Sequence, residues 1–548
     1  MRYLASTWLL CLLACDGEVT AEPHGSGADP AGVGGSATGP TCAPGELQLA
    51  DGSCTVAGIA PPSCGEGFVA DDDGGCVAVL PRDPCAPGTL AVPGDTSCKP
   101  VAPCGEGTWG DIPTDEATEY VDGSYRGSDS DGTQSAPWPT IQQAIDAAAP
   151  GAVVAVAAGD YQEDVLLLTK PVQLWGVCPA LAGIHGSGEV TLEIGSPASG
   201  SAVHAIGISG GGTGINVTHD TEVSFDRIWI HDTGSNGLRA QFATATVTDS
   251  LVEKTAGGIL AHSGYLTVDR CVVRDTTHSE EWRSIAIGMN DKGPAAAVAT
   301  IRGSVVERTE HGGISVGGAK ASIETTVVRD TGLDPDSLEA AYAIAVEHSL
   351  DGTIPAEVTL RTSVVERTRG LGVFVDGSVV SIEQTVVRDT QPTAAEWARG
   401  IHLQTWVERG SLPAVVSVTE SLVEGTVGAG IVSSGAELHL DRTIVRRTKA
   451  WSDGTLGDGI MLISEHATAT GTMEGCRVEQ NDHAGVLLLD GQLSVGTTAF
   501  ACNALSIAAV EYDGASYEYQ DLGGNSCGCE QAAASCDIVE TAPPWPAP

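Results

Sequence analysis

Two acidic residues occupy matching places in similar short phrases of the sequence. Glu347 closes "IAVE" (344–347) and Asp376 closes "VFVD" (373–376), and each phrase begins with a branched apolar residue. Because alternate side chains of a strand point to opposite faces, inward-pointing Ile344 and Val373 would leave both carboxylates on the outer face. On adjacent strands they would stand about 5 Å apart, which suits a shared cation or a carboxylate pair for glycoside chemistry.

The same alternation predicts a groove floor with further polar and aromatic side chains. Phe374, His402, Gln404 and Trp406 fall on this floor. We predict Glu347, Asp376 and His402 as candidate catalytic residues. Candidate ligand-binding residues are Gln404, Trp406, Trp282, Trp397 and Trp451.

The last three tryptophans lie in long connections that would form walls beside the floor, next to acidic residues such as Glu281, Glu396 and Asp453. Aromatic rings beside carboxylates are suited to gripping sugar rings. The competing interpretation is that these connections are solvated loops of an acidic protein, with Trp covering the edge of the fold.

A repeat positions these residues. In "TSVVERTRGLGVFVDGSVVSIEQTVVRDT" (362–390), the two closing threonines lie 22 residues apart. Copies of the unit close on Thr233, Thr255, Thr276, Thr309, Thr331, Thr368, Thr390, Thr426, Thr448, Asn481 and Asn503. Each copy contains short β-branched runs and a glycine-rich turn. A period near 22 without a helix signal predicts an all-β, right-handed, single-stranded parallel β-helix of about 14 coils.

Charged residues alternate in sign beside the closing Thr. The residue two places before it changes from Glu366 to Arg388, and the residue one place before it changes from Arg367 to Asp389. Unlike charges on stacked strands attract, so alternation predicts two ladders that fix the register. We expect exposed pairs worth roughly 0.3 kcal/mol each, and closing Thr hydroxyls bonded to the backbone of the bend.

Residues 120–176 carry a family resemblance through "PTIQQAIDAA", "GAVVAVAAGDYQE" and "KPVQLWG". They resemble the start of bacterial proteins of the pectin-lyase-like, right-handed β-helix superfamily, including the domain of unknown function 1565. The resemblance extends over roughly 120–510. It implies the fold. The residues themselves agree, because Thr140 is a suitable cap for a short helix from Ile141 to Ala148 that would close the open end of the barrel. The resemblance leaves function open, because the superfamily holds lyases, hydrolases, epimerases, adhesins and scaffolds.

The N-terminus reads as an export signal. An apolar run of residues 1–14 ends "LLAC", which resembles the lipobox of bacterial lipoproteins and implies lipidation at Cys15. Residues 15–41 are Gly-, Ala- and Pro-rich and predict a flexible tether. We therefore expect an exported protein of the cell envelope, anchored in a membrane by lipid.

Sixteen cysteines in an exported chain predict disulfides. Residues 42–107 form short modules with the expected pairs Cys42–Cys54, Cys64–Cys76 and Cys85–Cys98, and Cys104 is expected to reach Cys178. Residues 108–510 form the β-helix, and 511–548 a disulfide-containing cap with a Pro-rich tail. Cys271 and Cys476 stand where other repeats have Ser or Thr, so we expect them to fill core positions.

The net charge of −44 opposes binding to nucleic acid. No cofactor is expected apart from Ca²⁺ in "GSDSDGTQ" (127–134), with Asp129 and Asp131 as ligands. Three functional hypotheses remain. The first is a non-catalytic protein that binds polysaccharide or an extracellular protein, the second is a polysaccharide lyase or glycoside hydrolase, and the third is a structural spacer.

Overall fold

Each sequence repeat forms one coil of three strands, which we assign to faces A, B and C in chain order. In one coil, Val298–Arg302 belongs to face A, Val305–Thr309 to face B and Gly312–Gly317 to face C. Every strand pairs in parallel with its equivalent one coil on, as Val305–Thr309 does with Val327–Thr331. The resulting 42-stranded sheet confirms the predicted parallel β-helix.

The structure is a computed structural model. It describes residues 46–48, 54–71, 74–277, 284–291, 297–332, 341–393, 398–405, 407, 412–510, 516–529 and 536–541.

Face A begins with Glu119–Val121 beside Val153–Val156 and continues with Gln173–Gly176, Ser201–His204, Glu222–Asp226, Val298–Arg302, Lys320–Glu324, Glu357–Arg361, Val379–Glu383, Val415–Thr419, Glu437–Asp441, Thr470–Glu474, Gln492–Gly496 and Glu518–Gly523. Face B contains Gly159–Tyr161, Ala182–Gly186, Gly207–Gly210, Val272–Thr276, Val305–Thr309, Val327–Thr331, Val364–Glu366, Val386–Arg388, Leu422–Glu424, Ile444–Arg446, Arg477–Glu479, Ala499–Ala501 and Ser526–Cys527. Face C contains Val165–Leu167, Val190–Ile194, Thr213–Val217, Ile285–Asn290, Gly312–Gly317, Tyr342–Glu347, Leu371–Asp376, Arg399–Gln404, Ala429–Ser434, Asp458–Ile463, Ala484–Leu489, Leu505–Val510 and Ile538–Glu540. Two long strands, Trp229–Thr248 and Leu251–Asp269, run through faces B, C and A in turn.

A helix closes the first coil, as the sequence predicts. It spans Ile141–Ala147, and the Thr140 side chain accepts from the N–H of Gln143. Glu163 caps the same end, because its carboxylate accepts from the backbone N–H groups of Ile141 (2.8 Å) and Gln142 (3.0 Å). Ile141 and Ile145 are buried against the core. The Glu of the "GDYQE" phrase therefore has a structural role.

The cysteine-rich segment contains antiparallel hairpins, Glu46–Gln48 with Cys54–Val56, Phe68–Ala70 with Cys76–Ala78, and Thr89–Leu90 with Lys99–Pro100. The disulfides Cys64–Cys76, Cys85–Cys98 and Cys104–Cys178 are present as predicted. Cys54 is disulfide-bonded, but its predicted partner Cys42 lies outside the described residues.

This segment does not project as a separate stalk but lies along face B, and we call its described residues 54–104 the strap. Its course runs opposite to that of the coils. Gly58 donates to Arg442 O (2.8 Å), Ala86 O accepts from Arg274 (3.0 Å), and Cys104 is bonded to Cys178. Strap side chains bury an apolar column of face B consisting of Leu251, Val272, Val305, Val327, Val364, Val386, Leu422 and Ile444.

The charge ladders have the predicted register, but much of the first one is buried beneath the strap rather than exposed. Arg274 lies 2.6 Å from Glu253, with side chains only 2% and 1% exposed. The pair Glu366–Arg388 repeats this contact at 2.6 Å. Removing one partner of such a buried pair costs far more than breaking an exposed pair.

The second ladder connects neighbouring strands across the long coils, whereas the pairs of the first ladder described above span the short coils. Arg308 contacts Asp275 at 2.7 Å and Arg367 contacts Asp330 at 2.7 Å, each across a long coil. Burial lowers the pKa of Arg367, but its hydrogen bond to Asp330 and the charge of Glu366 outweigh this and raise the pKa overall. These residues have left-handed backbones, with φ of 53° at Arg367 and 55° at Asp330. The ladder therefore sits on the tight bend between faces B and C.

The closing Thr column is buried at the same bend, but among its described threonines only Thr233 makes the expected hydroxyl bond to the backbone, donating to Asn236 O at 3.3 Å. Within the described residues, the Oγ1 atoms of Thr255, Thr309, Thr368 and Thr426 are buried without a hydrogen-bond partner. The column faces the interior, where the Oγ1 of Thr426 approaches Gly400. Only the asparagines at its end bond as a ladder, with Asn481 donating to Asn503 at 2.9 Å.

The remaining cysteines also follow the sequence prediction. Cys502–Cys529 and Cys527–Cys536 are disulfides, as expected for a disulfide-containing C-terminal cap. Cys271 and Cys476 are free and buried, and burial raises the pKa of each thiol to about 12. Disulfides indicate an exported protein. No helix in the described part of the chain is long and apolar enough to cross a membrane.

Candidate functional site

Glu347 and Asp376 are direct neighbours in face C, as predicted. The register pairs Glu347 with Asp376, and Asp376 with Gln404 in the next coil. All three are half-buried. His348 Nε2 lies 3.7 Å from Asp376 Oδ2, and the sequence reasoning missed this histidine although it directly follows Glu347. The corner between faces C and A therefore holds two carboxylates and an imidazole.

His402 is stacked in register with Phe374, with ring centroids 5.8 Å apart. It is 7% exposed, and neither ring nitrogen has a hydrogen-bond partner in the described chain. Burial, followed by the positive charge of Arg399, lowers the pKa of His402 to about 3. The imidazole is therefore neutral near pH 7 and lacks the acidic imidazolium proton that a general acid donates.

The floor of face C is covered over much of its length, which corrects the expectation of an open groove there. Ala345, Val432 and Met461 belong to the outward column of His402 and are 0%, 1% and 3% exposed, whereas Phe374 in the same column is half-buried. In the late coils the outward side chains are apolar, and they pack in one cluster with Leu456 and Trp451 instead of facing water.

Trp451 accordingly belongs to this cluster, and its Nε1 is buried without a hydrogen-bond partner among the described residues. The other predicted tryptophans, Trp282, Trp397 and Trp406, lie outside the described residues.

Face A carries an open trough instead. It encloses about 690 Å³ and is lined by Val298, Ala299, Thr300, Lys320, Ala321, Ser322, Pro355, Glu357, Val358, Thr359, Val379 and Ser381. Val379 is 45% exposed, and Tyr265, the register partner of Val298, is 57% exposed. The trough therefore lies across several coils and ends beside an exposed aromatic ring.

A column of hydroxyl groups runs along the middle of face A. Its members in register are Ser224, Thr246, Thr267, Thr300, Ser322, Thr359, Ser381 and Ser417. Ser322 and Ser381 donate to Glu324 (3.1 Å) and Glu383 (2.9 Å). Thr300 and Thr359 make no side-chain hydrogen bond within the described residues, so these two hydroxyls are available to a ligand.

The charges beside the trough are paired. Lys320 contacts Glu357 at 2.7 Å on one side, and Arg361 contacts Glu324 at 3.3 Å on the other. None of the binding residues predicted from the sequence lies on this surface, because those residues follow the long connections. The signal was nevertheless present, since Thr300, Ser322 and Thr359 occupy the same place in successive repeats.

Asp129 and Asp131 lie in the loop proposed for Ca²⁺. Asp131 accepts from the backbone N–H (3.1 Å) and hydroxyl (2.7 Å) of Thr133, which lowers its pKa. Asp129 accepts from the Tyr125 hydroxyl at 3.2 Å. Both carboxylates thus support the turn, and the described residues contain no group of three or more His, Cys, Asp or Glu able to hold a metal.

The early coils match a known family. Residues 125–331 match the family described as "Protein of unknown function (DUF1565)". This confirms the resemblance of the segment that starts near residue 120. No curated protein matches the chain.

Several solved β-helix structures are similar to the chain at low identity. One is the catalytic domain of a GH87 alpha-1,3-glucanase in complex with nigerose, with 10% identity, a TM-score of 0.41, and coverage of 76% of this chain and 70% of that one. Another is the Azotobacter vinelandii mannuronan C-5 epimerase AlgE6 A-module, with 15% identity, a TM-score of 0.33, and coverage of 74% and 94%. A third is the periplasmic alginate epimerase AlgG, with 10% identity, a TM-score of 0.35, and coverage of 70% and 77%. At these TM-scores the similarities carry no functional argument.

Proposed function

We propose that this chain is an exported, lipid-anchored β-helix protein that binds an extended carbohydrate along face A without cleaving the polymer backbone. The observation that carries the proposal is the open trough of about 690 Å³. Face B lies under the strap from Leu251 to Ile444, and the outward side chains of the late coils of face C pack in an apolar cluster. Face A is thus the long surface that offers polar groups to a ligand.

The chemistry of the trough favours a neutral polysaccharide. Free hydroxyls of Thr300 and Thr359 can each donate to and accept from sugar hydroxyls. The ion pairs at the edges, such as Lys320–Glu357, are internally neutral. The net charge of −44 opposes an anionic polymer. Uncharged chains with many hydroxyls fit these conditions best.

Apolar contacts would supply the remaining affinity. Tyr265 exposes more than half of its surface beside Val298, at the end of the trough. A sugar ring presents an apolar face of C–H groups, and an exposed aromatic ring can pack against it. We expect Tyr265 to be the strongest single contact.

The location of the protein supports the same function. Lipidation at Cys15 would hold it in the envelope, and the Gly- and Pro-rich residues 16–41 would give the β-helix reach. Extended polysaccharides occur in this compartment, and a disulfide-bonded fold suits it.

The test is retention of the purified, oxidised protein on immobilised neutral β-glucan, α-glucan and acidic alginate, with release of new chain ends measured in parallel. Tyr265→Ala should weaken retention on a neutral polymer about 2- to 10-fold, the value of one aromatic contact. The double variant Thr300→Val with Thr359→Val should weaken it further. Tyr125→Ala, which alters a tyrosine in the loop of residues 122–131, is the matched control. Unchanged retention in the face A variants would refute the proposal.

A second candidate function rests on the register pairing of Glu347 with Asp376. Two carboxylates on adjacent coils could serve as acid and base in glycoside chemistry. New chain ends that appear with the wild type and vanish with Glu347→Gln or Asp376→Asn would favour this enzyme. Neither retention nor chain ends on any polymer would leave a structural spacer.

A further inference from the structure

Three polar side chains meet on the early coils of face B. Ser209 Oγ lies 2.6 Å from His185 Nδ1, and His185 Nε2 lies 3.3 Å from Asp160 Oδ1. A hydroxyl, an imidazole and a carboxylate in this order form the chain of hydrogen bonds that activates a serine nucleophile. None of the three lines the trough, and Ser209 lies in the register column of the first charge ladder, two coils before Glu253.

The stacking of the coils creates this contact. The register places His185 directly opposite Ser209, and Asp160 opposite Gly183 one coil earlier. Gly183 leaves room here, because a Cβ at this position would lie 3.1 Å from His185 Nε2. The imidazole can therefore lean back over Gly183 toward Asp160 while its other nitrogen faces Ser209.

The sequence around Ser209 has a pattern associated with nucleophilic serines. "GISGG" (207–211) fits G-x-S-x-G, although here it lies in a β-helix rather than in a strand–turn–helix. Gly210 and Gly211 have φ of 75° and 64°, and the N–H of Gly211 donates to no described residue. A free backbone donor two residues beyond the nucleophile can stabilise an oxyanion.

We propose that Ser209 and His185, positioned by Asp160, form an acyl-transfer site that hydrolyses a small carboxylic ester. Ser209 Oγ forms a bond to the ester carbonyl carbon while its proton passes to His185 Nδ1. The C–O bond to the alcohol then breaks, and His185 returns the proton to the departing oxygen. Water then loses a proton to His185 as its oxygen bonds to the acyl carbon, the C–Oγ bond of the acyl-serine breaks, and His185 passes that proton to Ser209 Oγ, releasing the carboxylic acid and the free enzyme.

The surroundings limit the acyl group to a small one. Ser209 is 5% exposed and stands in register between His185 and His231. The imidazole of His231 is stacked on Trp229 at 3.9 Å. With so little open surface at the hydroxyl, we expect the site to accept an acetyl group and to exclude a long acyl chain.

A second group of stacked side chains serves as a control for contacts of this kind that arise by chance. On face A, His439 Nδ1 lies 2.8 Å from Thr472 Oγ1, and His439 Nε2 lies 2.9 Å from Glu437. This group has the same order of contacts, but its hydroxyl is a β-branched threonine and no glycine-rich turn follows it. We expect it to be inert.

The experiment treats the full-length, oxidised protein with p-nitrophenyl acetate and, separately, with a fluorophosphonate that labels activated serines. The wild type should release p-nitrophenol in a burst of about one per chain and should be labelled at Ser209. Ser209→Ala and His185→Ala should lower turnover at least 100-fold. Asp160→Asn should lower it about tenfold and shift its pH profile, and Asp160→Glu should restore both. His439→Ala and Thr472→Ala should change nothing.

Labelling that persists in Ser209→Ala, or equal losses in the His439 and His185 variants, would overturn the proposal. Absence of both burst and label in a folded wild type would also overturn it. If Ser209→Ala does not fold, Ser209→Cys keeps the shape of the site. The measurement is then the alkylation of the new cysteine, which should be selective when His185 is present. Loss of that selectivity in His185→Ala is the expected result, and equal alkylation with and without His185 would refute the proposal. Polysaccharide retention is independent of this site, so the two proposals fail separately.

Discussion

Replacing Arg274 by Met should loosen the strap where it crosses face B. Arg274 Nη2 lies 2.6 Å from Glu253 Oε2 and also donates to Ala86 O of the strap at 3.0 Å. Glu253 Oε1 in turn accepts from the Gly88 N–H at 2.9 Å. The ion pair and the strap are thus bonded to one another, and losing the guanidinium leaves the Glu253 carboxylate buried without its counter-charge.

The expected loss in the free energy of unfolding follows from the burial of the Glu253–Arg274 ion pair. With side chains 2% and 1% exposed, removing one partner should cost about 3–5 kcal/mol. Arg367→Met is the matched control, since Arg367 and Asp330 are 44% and 32% exposed, and the loss should be below about 1 kcal/mol. The double variant Glu253→Gln with Arg274→Met should recover part of the loss, because no buried charge remains.

Native-state hydrogen exchange of the peptide containing Gly88 measures the local opening directly. Arg274→Met should accelerate this exchange about 10²- to 10⁴-fold, and Arg367→Met less than about tenfold. Equal acceleration by the two variants would refute the reasoning that the strap seals a buried ion pair.

Two further predictions concern buried groups. His402 has a folded-state pKa of about 3 against an ordinary value near 6.5, so it is neutral in both states above that value. As the pH falls below about 6.5, the unfolded chain takes up a proton that the folded chain does not, so the free energy of unfolding should fall by about 1.4 kcal/mol per pH unit. His402→Phe should flatten this slope, measured by urea unfolding between pH 6.5 and 4. An unchanged slope would contradict the burial of the ring. Cys271 and Cys476, whose pKa values are raised to about 12, should resist maleimide at pH 8 until denaturant is added, and rapid labelling of the folded protein would contradict their place in the core.

Much of the fold could be predicted because the repeat makes its own register visible. Thr309 and Thr331 mark equivalent bends, and the change of sign from Glu307 to Arg329 indicates neighbours that attract. The cysteine spacing predicted Cys64–Cys76 and Cys85–Cys98 because each closes a short loop. Each of these signals either recurs in every repeat or lies within one short stretch of sequence, so it can be recognised without knowing the fold.

The position of the strap could not be predicted in this way. The sequence indicates that the outer side of face B is covered, but not which segment covers it. Val305 and Val306 are adjacent and both apolar, so one of them points outward, and a strand that is apolar on both faces indicates cover on both sides. What covers the outer column is a segment distant in the sequence, such as Ile59 and Leu90. Nothing in those short runs identifies face B as their partner.

The candidate site also has one part that the sequence predicts and one part that it does not. The column of Glu347, Asp376 and Gln404 follows from strand alternation and was predicted correctly. The covering of Ala345 and Val432 depends on packing between distant parts of the chain, which the repeat pattern does not encode. For that reason the open surface lies on face A rather than on face C.

Hydroxyl-radical footprinting with and without a neutral β-glucan reports which face of the β-helix the polymer covers. Tyr265 and Val379 are 57% and 45% exposed, and we expect both to become protected while Leu350, which is 71% exposed, stays reactive. Protection of Leu350 with no change at Tyr265 and Val379 would place the polymer away from the trough and refute binding along face A.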